Sequence, residues 1–155
     1  MMRILILAVS TLVLLGLAVG VVRGQAASKL FDAVPVANRE SLRDASSKVV
    51  SYEINREWAE MYKLYDNKKR ITLQQFTRDM NKQVKLVEFR PTAVTYIPPS
   101  ADWRIDGCAV FDFAVVDART VDAEITARHF SDGWRLSEVV ISPRKGPQRC
   151  TAEKK

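Results

Sequence analysis

The apolar residues of this chain change their spacing at Met80, and this change limits the folds that the sequence can form. Before Met80 they recur every three or four residues, the period of a helix with one buried face. After Met80 they alternate with polar residues, which is typical of half-buried strands. Helices followed by long strands predict an α+β fold, with N-terminal helices packed on an antiparallel sheet. The helical stripe contains Val49, Val50, Ile54, Trp58, Met61, Tyr62 and Tyr65.

The N-terminal half predicts two helices joined by a turn. The first covers residues 39–65, with Glu53 among the charged residues of its solvent face. Turn formers and basic residues at positions 66–69 suit a helix C-terminus. Thr72 begins the second helix, because Thr72-x-x-Gln75 matches the capping-box pattern. The segment before the first helix is expected to be a linker or an extended lead-in.

Four strands are predicted after the helices. Pro91 lies inside the first strand and favours a bend or an edge position, because proline cannot donate a ladder hydrogen bond. The sequence Ser131-Asp132-Gly133 is a tight hairpin signal between the last two strands. The predicted strands are residues 84–97, 103–116, 120–130 and 134–142.

Nineteen consecutive uncharged residues, Ile4–Val22, lie near the N-terminus between two arginines. A helix of this length rises roughly 28 Å, close to the hydrocarbon thickness of a bilayer. Two interpretations stay open: a signal peptide cleaved after Ala26, or a retained membrane span. Both predict an exported protein, periplasmic or extracellular, which the second anchors to the inner membrane. The expected domains are 1–26 (signal or anchor), 27–38 (linker), 39–143 (folded domain) and 144–155 (basic tail).

The charge pattern argues against nucleic-acid binding. The chain carries a net charge of +6, but its basic residues alternate with acidic ones, as in Arg39-Glu40 and Arg43-Asp44. A nucleic-acid interface needs clustered basic residues with exposed aromatic ones. The sequence also has no phosphate-binding loop and no zinc-ligand spacing, so we expect neither a cofactor nor a metal.

Two cysteines, Cys108 and Cys150, lie in the part expected to be exported. An oxidising compartment favours a disulfide between them. The alternative is two unpaired thiols, one in a strand and one in a loose tail, and the sequence leaves both open.

Two blocks of the sequence resemble a known family. Residues 58–66 (WAEMYKLYD) and 70–76 (RITLQQF) resemble the N-terminal helices of exported bacterial NTF2-like domains, of the ketosteroid-isomerase-like superfamily. Residues 132–136 (DGWRL) are similar to the last hairpin of that family. The resemblance covers residues 39–142 and implies a cone in which the long helix crosses a curved sheet beside an open pocket. A cystatin-like fold is the alternative. The family includes isomerases, dehydratases and transport factors, so the fold alone leaves the function open.

The candidate catalytic residues are Asp112 and His129. His129 is the only histidine and could serve as a general base if its strand face lines a pocket; otherwise it is an ordinary strand-end residue. Asp112 lies in mid-strand and points either into a cavity or, more commonly, to solvent. Asp122 and Glu124 share a strand face as a catalytic pair would, but Arg128 on that face fits an ordinary polar surface.

Several aromatic residues are candidates to line an apolar ligand pocket, although aromatics at these spacings more often form a core. They are Trp58, Tyr62, Phe111, Phe113 and Trp134. We therefore expect a non-catalytic domain that binds a partner protein or a small apolar ligand in the cell envelope. The alternatives are a small isomerase or dehydratase using Asp112 or His129, and a subunit that forms a homodimer through its sheet.

Overall fold

The computed structural model describes residues 29–66, 70–113, 116–143 and Cys150. Three helices pack against a curved antiparallel sheet, so the α+β class predicted from the sequence is confirmed. The expected N-terminal signal or anchor, the basic tail and the turn at 67–69 lie outside the described residues, apart from Cys150. The helices are α1 (Val36–Asn55), α2 (Trp58–Leu64) and α3 (Leu73–Met80). The strands are β1 (Lys85–Ile97), β2 (Asp102–Phe113), β3 (Val116–Phe130), β4 (Gly133–Leu136) and β5 (Val140–Ile141).

The single long helix predicted for residues 39–65 is wrong, because the chain breaks between α1 and α2. Arg56 adopts the left-handed conformation with φ of 58°, and its backbone N–H bonds back to the carbonyls of Tyr52 and Glu53. This is a helix C-cap, which lets the chain turn before Trp58 starts the next helix. The solvent position predicted for Glu53 is also wrong, because the side chain is 4% exposed. The buried stripe of α1 is Leu42, Ala45, Ser46, Val49 and Glu53.

The structure packs residues ahead of the expected boundary at position 39. Phe31 and Val34 are 3% and 1% exposed and belong to the hydrophobic core. Pro35 occupies the N-cap position of α1, where its missing N–H is of no consequence. The packed domain therefore includes part of the segment expected to be a linker.

The second predicted helix is α3, and its capping box forms as expected. The Thr72 hydroxyl accepts a hydrogen bond from the Gln75 backbone N–H at 3.2 Å, while the Gln75 side chain accepts from the Thr72 N–H at 3.1 Å. Phe76 and Met80 on its inner side are buried. Trp58 of α2 donates its ring N–H to the side-chain oxygen of Asn81 at 2.8 Å, which joins the two short helices.

The sheet is a meander with strand order β1-β2-β3-β4, and β5 also pairs with β3. The last predicted strand is divided, because Ser137 interrupts the ladder. Its hydroxyl accepts the Thr126 N–H at 2.9 Å, while its own N–H bonds to the Thr126 carbonyl. The chain resumes pairing at Val140. Val139, between the two short strands, therefore turns its N–H away from β3 and toward α1.

The two faces of the sheet have different roles. The inner face carries Ile105, Ala109 and Phe111 of β2 beside Ala123 and Ile125 of β3, all of them buried under the helices. The outer face is polar. There, a disulfide joins Cys108 of β2 to Cys150. Of the two possibilities that the sequence left open, a disulfide or two unpaired thiols, the structure contains the disulfide.

Candidate functional site

The candidate site is an open groove between α1 and the inner face of β1. Its volume is about 360 Å³, and its lining is mostly apolar. Val50 and Ile54 come from the helix, while Phe89 and Pro91 come from the strand and Ile105 forms part of the floor. A groove with apolar walls and a few polar groups is the usual form of a ligand site. The polar rim consists of Ser46, Ser47, Ser51 and Asn55.

The floor of the groove depends on a glycine in β2. Pro91 pairs with Gly107 in the β1–β2 register. A Cβ atom on Gly107 would lie 2.5 Å from Cζ of Phe89 and 2.6 Å from the carbonyl oxygen of Arg90. Because glycine has no side chain, the Phe89 ring can lie directly over the β2 backbone at Gly107. The register also shifts between Pro91 and Ala93, and such a bulge bends the strand beside the groove.

None of the five aromatic residues predicted as pocket candidates lines this groove. Trp58, Phe111 and Trp134 are buried in the core, and Phe113 packs against that core. Tyr62 lies between α2 and α3, where its hydroxyl donates to the Ile71 carbonyl at 2.6 Å. The groove is instead lined by smaller apolar residues at helical spacing in α1, which the sequence analysis assigned to the general core stripe.

The two candidate catalytic residues lie at opposite ends of the sheet. Asp112 is exposed and pairs with Lys85 at one end of β1 and β2. His129 is exposed at the other end, with its ring 4.8 Å from the ring of Trp134. Since Trp103 pairs with Ala127, the two residues are separated by about eleven positions along the sheet, roughly 36 Å. They do not form a common site, and neither lines the groove.

The other carboxylate pair stabilises the outer face of the sheet. Asp122 accepts the backbone N–H of Cys150 at 2.9 Å, which holds Cys150 against β3. Glu124 accepts the Ser142 hydroxyl, also at 2.9 Å. Both side chains are therefore engaged in holding the C-terminal segment. Within the described part of the chain, no cluster of three or more histidine, cysteine or acidic residues could hold a metal.

A buried ionisable group that the sequence analysis missed is Glu53. Its carboxylate accepts the Val139 backbone N–H at 2.8 Å and so joins α1 to the connection between β4 and β5. Burial raises the pKa of Glu53 to about 7; the Val139 hydrogen bond lowers it and the nearby Glu138 charge raises it. The sequence signal for the burial of Glu53 is the spacing of Leu42, Ala45 and Val49, which places residue 53 on the same buried face of α1.

This burial predicts a dependence of stability on pH. The pKa in the folded state lies above the ordinary value of 4.5, so the contribution of Glu53 is fully present below pH 4.5 and is lost as the pH rises through 7. The loss amounts to about 3 kcal/mol. Glu53→Gln keeps an acceptor for Val139 and removes the charge, so at pH 8 it should be more stable than the wild type by a similar amount. At pH 4.5 the two proteins should be nearly equal.

Urea unfolding at both pH values measures this difference. Glu57→Gln is the matched control, because Glu57 is exposed at the start of α2 and its variant should follow the wild-type profile. Parallel profiles for wild type and Glu53→Gln would show that the Glu53 carboxyl is not desolvated.

Comparison of the chain with protein-family models, curated proteins and solved structures gives no match. No helix among the described residues is long and apolar enough to cross a bilayer, and the segment Ile4–Val22 lies outside them.

Proposed function

We propose that this protein is a non-catalytic NTF2-like binding domain of the cell envelope, which takes up an apolar group in the groove between α1 and β1. The group belongs to a small ligand or to a partner protein. The observation that carries the proposal is the groove itself, an open apolar cavity beside a packed core. Val50 and Ile54 line the groove from α1, directly beside the buried stripe of that helix. No charged residue is among those that line it, which favours a neutral occupant.

The location is part of the same proposal. The uncharged segment Ile4–Val22 is long enough to direct export or to anchor the protein. The Cys108–Cys150 disulfide is compatible with an oxidising compartment. The domain would then act outside the cytosol, either free or tethered by its N-terminus.

Binding of a neutral fluorescent probe, N-phenyl-1-naphthylamine, tests the groove on the protein recovered after export. We expect saturable binding that Ile54→Lys weakens by about tenfold or more, because a charge in an apolar site must be desolvated. Ile141→Lys is the matched control, since Ile141 is 52% exposed on β5 and does not line the groove. Ser51→Trp supplies a second test, because it fills the groove from an exposed helix position without removing a core contact. Equal binding by all these variants and the wild type would reject the groove as the site.

A further inference from the structure

The outer edge of β1 is open. The sheet order places β1 at one end, and among residues 29–66, 70–113, 116–143 and 150 no strand pairs with its second side. The strand has 13 residues, which makes it long for an edge. Natural proteins protect such edges with charges, prolines and bulges, because unpaired backbone groups there can bind another strand.

The two halves of β1 differ in this protection. The first half contains Lys85, Glu88 and Arg90, and both register shifts of the strand lie at or before Ala93. The second half, Ala93–Ile97, pairs with β2 without a shift and has no charged residue. Five regular residues are about the length of an average strand. The unprotected part of the edge is therefore long enough to hold an added strand.

The groove lies beside this unprotected edge. Phe89 and Pro91, which line the groove, occupy inner-face positions of β1 immediately before Ala93. In a strand added along Ala93–Ile97, the residue opposite Ala93 faces outward like Ala93 itself. The next residue, one position beyond Ala93, therefore faces inward and lies beside Pro91, over the groove. Another inward side chain would meet Tyr96, which is 47% exposed and whose ring centre lies 5.1 Å from that of Trp103.

We propose that β1 binds an extended segment of a partner protein as an additional strand, with one apolar side chain of that segment in the groove. This inference rests on the proposed function and specifies its occupant. Backbone hydrogen bonds to Ala93–Ile97 would supply the affinity, and alternate side chains would supply the specificity. The segment is apolar at the alternate positions that face inward, opposite Val94 and Tyr96 and beside the groove, and polar at the outward positions between them. It carries no charge toward α1, because the serine and asparagine side chains of the rim offer no counter-charge.

The test starts from random twelve-residue peptides displayed on phage and selected on the protein recovered after export. We expect the selected peptides to share apolar residues at alternate positions. A bound peptide should slow hydrogen exchange by about tenfold or more at those amides of Ala93–Ile97 that point away from β2, since they then bond to the added strand. N-phenyl-1-naphthylamine should leave those amides unchanged, because a small ligand in the groove pairs with no backbone.

Two lysine variants of β1 locate the peptide on the strand. Tyr96→Lys places a charge on the inner face of the unprotected half and should weaken peptide binding by about tenfold. Val87→Lys changes an equally exposed residue, 46% against 47%, in the half that already carries charges, and should leave binding unchanged.

The outcomes separate this inference from the proposed function. Peptides that bind without protecting Ala93–Ile97, peptides that bind as helices, or a selection that fails while the probe still enters the groove would each overturn strand addition. Those results leave the groove as a binding site for a small ligand. If the wild type does not bind the probe at all, the proposed function is overturned as well.

Discussion

Replacing Trp58 with alanine should lower the free energy of unfolding by about 3–5 kcal/mol, as for other buried large aromatic residues. The Trp58 side chain is 9% exposed and packs in the core where α2 meets the sheet. The substitution also leaves the Asn81 side chain without the ring N–H that it accepts at 2.8 Å. Chemical denaturation of wild type and variant under one set of conditions measures the difference.

A second substitution separates packing from the hydrogen bond. Trp58→Phe retains most of the buried ring but cannot donate to Asn81, so it should cost about 1–2 kcal/mol. A loss below about 1 kcal/mol for Trp58→Ala would mean that α2 does not pack as described.

Removing the disulfide with Cys108→Ala and Cys150→Ala together should cost about 4 kcal/mol in the chain-entropy model, because the bridge joins residues 42 positions apart. Each single variant should lose nearly the same amount, since either one breaks the bridge. Among the described residues there is no free cysteine, so thiol titration of unreduced, denatured protein should find no reactive group.

The same measurement tests the compartment. Protein retained in a reducing cytosol should show two reactive thiols and the lower stability, whereas exported protein should show none. Two reactive thiols in exported protein, or a double variant as stable as the wild type, would contradict the role of the bridge.

The sequence predicts the elements of the fold better than it predicts their interruptions. The bounds of β1, the capping box at Thr72 and the hairpin at Gly133 follow from local patterns, and the structure contains them. The predicted end of the second strand at residue 116 is wrong, because β2 ends at Phe113 and Val116 already begins β3. The break at Arg56 has no local signal, because arginine does not favour the left-handed conformation that it adopts there. The division of the last strand depends on the Ser137 hydroxyl reaching Thr126, a contact between different strands.

The candidate site was harder to predict for the same reason. Large aromatic residues suggest a ligand pocket, but in this fold they fill the core. The groove exists because Gly107 lets Phe89 lie close to β2 and because α1 turns one flank toward β1. Glu53 appears polar and therefore exposed when α1 and α2 are treated as one helix. The spacing of Leu42, Ala45 and Val49 places residue 53 on the buried face, but the N–H that binds its carboxylate belongs to Val139, 86 residues later.

The contacts of α1 with the end of the domain affect the order in which the protein can fold. Ser41 accepts the ring N–H of Trp134 at a separation of 93 residues, and Glu53 accepts the N–H of Val139 at a separation of 86. A chain is synthesised from its N-terminus, so α1 emerges long before its partners exist. Strands β1 to β4, in contrast, pair with their immediate neighbours in sequence and can assemble as successive hairpins. The contacts of α1 with Trp134 and Val139 therefore form only after almost the whole domain has been made, and until then part of its inner face is exposed to other chains.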